Sequence, residues 1–550
     1  MTSGTAELAH EAVAVRPATR VAPANPLGVE EALARFAAPA DCREPVVILR
    51  PFTVFSKQSY STPIVPPIGP AYLASLLEAG GYAVEIIDGV GEAIEDVRLT
   101  ECGSYKCQGL GAEQIIQRIP ADARILGISM MFSQEWIHHR ELINRIKRAR
   151  PDLIIVAGGE HPTSIPEYVL RDCPAIDYVV SGEGELTFLE LVHRLVSDAD
   201  VSGMTGIAYL DENGTLVDTG LGRRLADVDA LPRPAWHQVP VSKYFIGMFT
   251  HGLSMGRNMP ILGTRGCPYQ CTFCSNPTMW TTRYVLRDPA AVVDEIEWLM
   301  ETYGANSIDF VDLTAIVKKK WITAFCDELK RRKLDIVWQL PSGTRSEALD
   351  PETLQALHDT GCRFLAYAPE SASEETLLRI KKKIVLDHLT ESAKTAVEVG
   401  HVVKIHLIIG FPGESRRSMW KTLLYSVKMA FQGIDDCNVA VFAPYPGSEL
   451  FRELQETGAI GELNDQYFQD LIIQFDVVSL KTFNGVVPDW EIGFYRVASM
   501  ATFYAVSYLS HPRRIGGLLR SLFSSTFQAS SLLEQRLYDF RSRGRLRGTP

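Results

Sequence analysis

Cys267, Cys271 and Cys274 stand in the stretch GTRGCPYQCTFCSNP at a C-x3-C-x2-C spacing, with the aromatic Phe273 just before the last of them. Three thiols on one short loop do not pair evenly into disulfides, and a tetrahedral zinc site would need a fourth ligand from elsewhere. Thiolates are soft donors suited to iron–sulfur clusters, and three of them around a four-iron cubane leave one iron open to a further ligand. Zinc with a remote fourth ligand, or three unrelated cysteines, are the competing readings. The trio directly follows the β-rich run MPILGTRG, and a parallel barrel keeps its chemistry at such strand ends.

Five further β-rich runs follow that first one: SIDFVDL, DIVWQLP, CRFLAYAPES, VKIHLIIGFPGES and DCNVAVFAPYPGS. Helical stretches separate them, for example PAAVVDEIEWLMETYG, and DPETLQALHDTG with Asp350 as cap and Pro351 in the first turn. Six β/α repeats predict a partial parallel barrel over 256–457. Upstream, PVVILRP, AVEIIDG, ARILGISM, DLIIVAGGE and AIDYVVSGEGE alternate with helices such as GPAYLASLLEAGGY, WIHHRELINRIKRARP and LTFLELVHRLVS. That rhythm predicts a doubly wound, Rossmann-like α/β sheet over 44–202, with any ligand at the carboxyl ends of its strands. Those ends carry Asp88-Gly89, Ser129 to Phe132, Gly158 to His161 and Gly182 to Glu185. Their glycines would let a large flat ligand approach the backbone. Residues 203–255 read as a connector containing a hairpin, and 458–550 as a mostly helical segment with a basic tail.

The composition is that of a globular protein of two or three domains: 550 residues, 46% hydrophobic and 22% charged. Ten scattered cysteines are no disulfide scaffold, and the start has no export signal, which points to a reducing cytoplasm. Residues 1–43 read as a flexible arm. A net charge of −11 argues against a general nucleic-acid binder. The charge is uneven: Ser510 to Pro550 carries eight arginines against Glu534 and Asp539, just after the uncharged stretch Val497 to Pro512. This C-terminal region reads either as a packed helix with a solvated basic tail, or as a peripheral contact with a membrane or with an anionic or greasy substrate.

RGCPYQCTFCSNP resembles the signature of the radical S-adenosylmethionine (radical SAM) superfamily. YAPESASEETLLRIKKK, LIIGFPGES and APYPGSELF are similar to its later motifs, with Ala368-Pro369 replacing the usual lead-in of the first. PPIGPAYLASLLEAGGYAVEIID, GGEHPTS and GEGELTF resemble the cobalamin-binding domain of the cobalamin-dependent branch, so the likeness spans about 45–455. It implies that Cys267, Cys271 and Cys274 hold a [4Fe-4S] cluster whose free iron binds SAM, with Phe273 near the adenine and Glu370 on the ribose or amino group. Gln339, Arg345 and His406, on later strands, are further SAM-binding candidates. Ser129, Met130, Met131, Phe132, Gly158, Gly159, Glu160, His161, Gly182, Glu183, Gly184 and Glu185 would face cobalamin. No D-x-H-x-x-G is present, which leaves the lower cobalt face to the loop 129–134. His161 is expected at the corrin edge or the backbone in preference to cobalt. SIDFVDLTAIVKKKW departs from the family's paired acids, and no role is assigned to Asp312.

The resemblance implies methyl transfer from methylcobalamin to a poorly activated carbon of a small, hydrophobic or anionic metabolite through a 5′-deoxyadenosyl radical, fed by a donor such as flavodoxin or ferredoxin. A cobalamin-dependent oxidative cyclase of the anaerobic magnesium-protoporphyrin monomethyl ester type shares the layout and stays open. Methylthiotransfer would need three further, regularly placed cysteines, and Cys42, Cys102 and Cys107 are irregular. A cobalamin sensor with a non-catalytic barrel is the remaining alternative.

Overall fold

The computed structural model describes residues 27–57, 64–100, 103–246, 250–473, 480–516 and 533–534. Among them, the first ten strands are β1 (Val46–Arg50), β2 (Thr53–Ser56), β3 (Val84–Asp88), β4 (Val97–Leu99), β5 (Tyr105–Gln108), β6 (Ile125–Ser129), β7 (Ile154–Gly158), β8 (Tyr178–Val180), β9 (Ile207–Leu210) and β10 (Leu216–Asp218). Seven form one sheet in the order β10-β9-β8-β7-β6-β1-β3. From β3 to β8 it is parallel, as the strand–helix alternation requires. The central runs are apolar throughout because helices cover both faces: Val46, Val47, Ile48 and Leu49 of β1 are all buried.

Three features depart from expectation. The hairpin assigned to the connector extends this sheet, with β9 antiparallel to β8. Residues 27–36, expected in the arm, instead form a helix, Val29–Arg35, that buries Val29, Ala32 and Phe36; residues 1–26 lie outside the described residues. A small antiparallel sheet, β2-β5-β4, was not anticipated, because its strands are short and all three mix polar with apolar residues.

The second half carries β11 (Asn258–Ile261), β12 (Thr264–Arg265), β13 (Val285–Leu286), β14 (Ser307–Phe310), β15 (Val337–Thr344), β16 (Cys362–Glu370), β17 (Val402–Ile409) and β18 (Asp436–Val441). Strands β11, β14, β15, β16, β17 and β18 pair in that order, all parallel, as an open barrel wall. Along β17, Val403, Ile405, Leu407 and Ile409 are buried and join the main hydrophobic core, whereas Val402, Lys404, His406 and Ile408 are half-buried on the other face. A strap ahead of β11 packs on that second face: Leu253 clusters with Phe364 and Ala366 of β16, and Val402 borders them.

The strap is pinned by polar groups. Buried Asp309 accepts from the Thr250 hydroxyl (2.5 Å) and the His251 amide (2.9 Å). Gln339 bonds both backbone groups of Leu253 at 2.7 Å. Helix starts follow their caps as expected, Asp350 accepting from the Thr353 amide ahead of Pro351–Asp359. Beyond the barrel lie the helices Asp465–Ile473 and Asp489–Ser510, the second packed along Arg416–Phe431 and β18. No helix among the described residues is long and apolar enough to cross a membrane.

Candidate functional site

The cysteine loop leaves β12 and is held from three sides. The Thr272 amide donates to Ile380 O (3.1 Å), and Thr272 O accepts from the Leu450 amide (2.9 Å), so the loop is tied to the ends of two later motifs. Arg345 lies on the face of Tyr269, its guanidinium carbon 3.8 Å from the ring centroid, at cation–π distance. Phe273 packs against Phe411 of the GFPGE turn at 5.8 Å.

Burial raises the pKa of all three thiols, that of Cys274 to about 12, and Cys271 and Cys274 are raised further by the other thiols of the trio. Lys382 and Arg345 act in the opposite sense on Cys267 and Cys271. Half-buried thiols with two cations near a pair of them form a donor set that ionises once a cationic centre binds, which is how thiolate sites couple metal to proton release. Among the described residues, no group of three or more His, Cys, Asp or Glu side chains is arranged to hold a single metal ion.

Glu370 ends β16 beside this loop. Its φ of +64° lies in the left-handed region, uncommon for a residue with a Cβ, and such strain clusters at ligand sites. Its carboxylate accepts from Lys382 Nζ at 2.9 Å. Burial works against the Lys382 ammonium, but Glu370 and Cys271 outweigh it and raise its pKa. Sequence reasoning did not single out Lys382, although it is the second of the three lysines that close the motif YAPESASEETLLRIKKK.

Gln339 does not reach this cluster, because its amide is spent on the strap. His406 lies on the half-buried face of β17, opposite Asn438 in register. Asp312 is buried as an acceptor for Thr264 Oγ1 and the Gly263 amide, just upstream of the cysteines, and burial pushes its pKa up to about 6.

The carboxyl edge of the first sheet faces the same loop. Glu160, in the first turn of the helix Glu160–Ser164, accepts a hydrogen bond from Ser275 Oγ, next to Cys274. Burial raises the Glu160 pKa. Gly159 has φ +111°, and a Cβ there would fall 2.3 Å from Met130 O. Gly158 beside it has nothing within 4 Å of a Cβ position. Met131 and Phe132 are exposed after β6, whereas Ser129 is half-buried and Met130 is buried. The strand ends thus combine open backbone at Gly158 with the exposed apolar side chains of Met131 and Phe132.

His161 is buried, its Nδ1 3.0 Å from Ser133 Oγ and its ring 4.9 Å from that of Trp136. Burial lowers its pKa to about 3, and Nε2 has no partner among the described residues. Glu183 and Glu185, expected to face a ligand, are instead consumed by arginines. Arg224 Nε is 3.0 Å from Glu183, and Arg265 Nη2 is 2.7 Å from Glu185. Gly182, at φ +86°, donates its amide to Thr163 Oγ1, and Gly184 opens the helix Gly184–Val196. Nothing in the sequence marked Arg224 or Arg265, because their partners lie 41 and 80 positions away in the chain.

Comparison with known proteins follows this division. Residues 60–192 match the B12 binding domain family and residues 261–425 the radical SAM superfamily. An uncharacterized methyltransferase of Pyrococcus horikoshii is 31% identical over 387 residues, 70% of this chain and 78% of that protein. The anaerobic magnesium-protoporphyrin IX monomethyl ester cyclase of Rubrivivax gelatinosus is 27% identical over 489 residues, 86% of this chain and 80% of the cyclase. Among solved structures, the radical S-adenosylmethionine methyltransferase TsrM from Kitasatospora setae, with cobalamin and a [4Fe-4S] cluster bound, has the same fold. It aligns with a TM-score of 0.63 at 17% identity, covering 92% of this chain and 99% of that one.

Proposed function

The chain belongs to the cobalamin-dependent radical SAM enzymes, a family of methyltransferases and cyclases, and from that premise we propose that it methylates an unactivated carbon of a small molecule. The observation that carries this reading is the Glu160–Ser275 bridge, which joins the open strand ends of the first sheet to the loop of three cysteines. Two cofactor sites that share a wall can serve one substrate held between them.

Cys267, Cys271 and Cys274 hold the [4Fe-4S] cluster in this reading. Glu370, Lys382 and Arg345 line the space for SAM. Lys382 balances the charge of the thiolates and of the SAM carboxylate, and Glu370 accepts from the SAM amino group or ribose. Gly158, Met131 and Phe132 form the floor for cobalamin. When bound, these cofactors supply a hydrogen-abstracting adenosyl radical and a transferable methyl group. His161, neutral and buried, is fixed through Nδ1 by Ser133, the residue after Phe132. The aromatic packing of Phe273 on Phe411, and of Phe411 on Phe442 (5.3 Å), keeps water from the cluster side.

The test is product mass. Anaerobic enzyme carrying cluster and cobalamin is incubated with an extract of metabolites and SAM bearing a trideuterated methyl group. A metabolite that gains one trideuterated methyl group, together with 5′-deoxyadenosine, is the expected result. A second reading, oxidative cyclisation, is favoured by the share of this chain, 86%, that aligns with the Rubrivivax cyclase. Turnover that alters a metabolite without deuterium gain would establish that reading and overturn methylation.

A further inference from the structure

More than half of the large apolar side chains exposed among the described residues lie on or beside two neighbouring helices, Arg416–Phe431 and Asp489–Ser510. These helices run parallel: Arg416 pairs with Glu491 at 2.7 Å near their starts, and Trp420 meets Tyr495 at 5.5 Å one turn on. Each buries one face and leaves a stripe outside. On the first, Trp420, Leu424 and Phe431 fall on one line by the 3.6-residue period. On the second, Trp490, Phe494 and Val497 do the same, and Trp490 is 74% exposed. Soluble surfaces scatter such residues singly, so a patch of this kind marks a contact.

The exposed charges on the first helix have one sign. Arg417, Lys421 and Lys428 are exposed on the first helix and unpaired among the described residues, and that helix contains no acid. The second helix carries its acids only in its first turn, where Glu491 is taken by Arg416. It is uncharged from Val497 to Ser510, and the chain then continues into Arg513 and an arginine-rich sequence. The whole protein is acidic, with a net charge of −11, so this basic, aromatic face runs against the background.

We propose that this two-helix face docks the enzyme on an anionic membrane surface. An aromatic stripe flanked by lysines is the pattern of helices that rest in the headgroup region: the aromatic rings enter the interface and the cations meet lipid phosphates. Charge complementarity selects an anionic bilayer over a second copy of this acidic chain. Attachment is peripheral, since no helix among the described residues can cross a bilayer.

The test is flotation of the full chain, anaerobic and with its cluster, on vesicles of phosphatidylcholine alone or mixed with an equal amount of phosphatidylglycerol. Binding to the anionic vesicles, weakened by salt, with a blue shift of tryptophan emission, is expected. The double variants Lys421→Glu/Lys428→Glu and Trp490→Ser/Phe494→Ser, each with intact iron absorbance, should both reduce the bound fraction by at least about tenfold. The proposal is overturned if the full chain fails to float, if neutral and anionic vesicles bind it equally, or if both variants bind as the wild type does. It is also overturned if light scattering shows a dimer that these variants split, which would make the face a contact between copies.

Discussion

Glu414 closes the GFPGE turn as an acceptor, taking the Gly410 amide at 2.7 Å, the Phe411 amide at 3.2 Å and the Thr376 hydroxyl at 3.3 Å. Burial nevertheless dominates and pushes its pKa up to about 7 from an ordinary value of 4.5. The native state therefore holds this proton more tightly than the unfolded chain does. Its contribution is complete below about pH 4.5 and is lost as pH rises through about 7, with a ceiling of ~3 kcal/mol. Glu414→Gln cannot titrate but keeps one acceptor oxygen. Relative to wild type, the variant should thus gain stability between about pH 5 and pH 8. Urea midpoints of both proteins at the two values test this, and parallel shifts would show that Glu414 does not titrate in that window. The same balance governs the three thiols, which burial keeps protonated until a bound cationic centre makes up for the lost water.

At the scale of elements, the two neighbouring glycines after β7 separate backbone need from ligand need. Gly159 at φ +111° cannot take a side chain without strain of about 1–3 kcal/mol and a collision with Met130 O, so Gly159→Ala should lower the melting temperature with or without cofactors. Gly158 has open space at its Cβ position, and Gly158→Ala should leave the apoprotein's melting temperature unchanged. If cobalamin lies against that backbone, the same methyl group lowers the corrin-to-protein ratio after reconstitution, with iron content unaffected. Full corrin retention in Gly158→Ala would remove the floor from the proposed site. The parallel strands were legible because fully buried strands read as continuous apolar runs, and β17 because its alternation survives in VVKIHLII. The cysteine loop and Glu370 could be singled out as candidates because their spacing is local. Gln339 was misread because an inward-pointing amide looks alike in sequence whether it meets a ligand or the strap 250–254. The ends of GEGE were misread for the same reason, since the cations that claim both carboxylates come from distant segments.

Those cations decide how the whole molecule is held. Glu183 and Glu185 leave the first sheet at the end of β8, Arg224 comes from the segment after the hairpin, and Arg265 lies in β12, two residues before Cys267. All four side chains are at least nine-tenths buried. Arg265 also faces the rings of Tyr72, at 5.4 Å, and Trp280, at 6.0 Å, and the Leu225 amide donates to Glu183 at 2.7 Å. Burial opposes the Arg265 charge, but Glu185 and Glu183 outweigh it and raise its pKa, so the guanidinium stays charged between the two halves. Taking such a set out of water is costly, and its net worth against an apolar packing is small. Removing one member is a different matter, because it strands an opposite charge at about 3–5 kcal/mol. Arg265→Ala should therefore destabilise the protein by about that much and loosen the first sheet from the barrel, so that one thermal transition becomes two. Arg265→Lys keeps the charge but loses the fork that reaches both glutamates, and should fall between the two. Salt has little access to a buried pair, so the loss should be nearly the same at low and high ionic strength. Calorimetry of the three proteins at two salt concentrations measures all of this. A loss under about 0.5 kcal/mol for Arg265→Ala, or one that vanishes in salt, would mean that the halves are held by their apolar contacts alone and that the cysteine loop owes its position to the barrel.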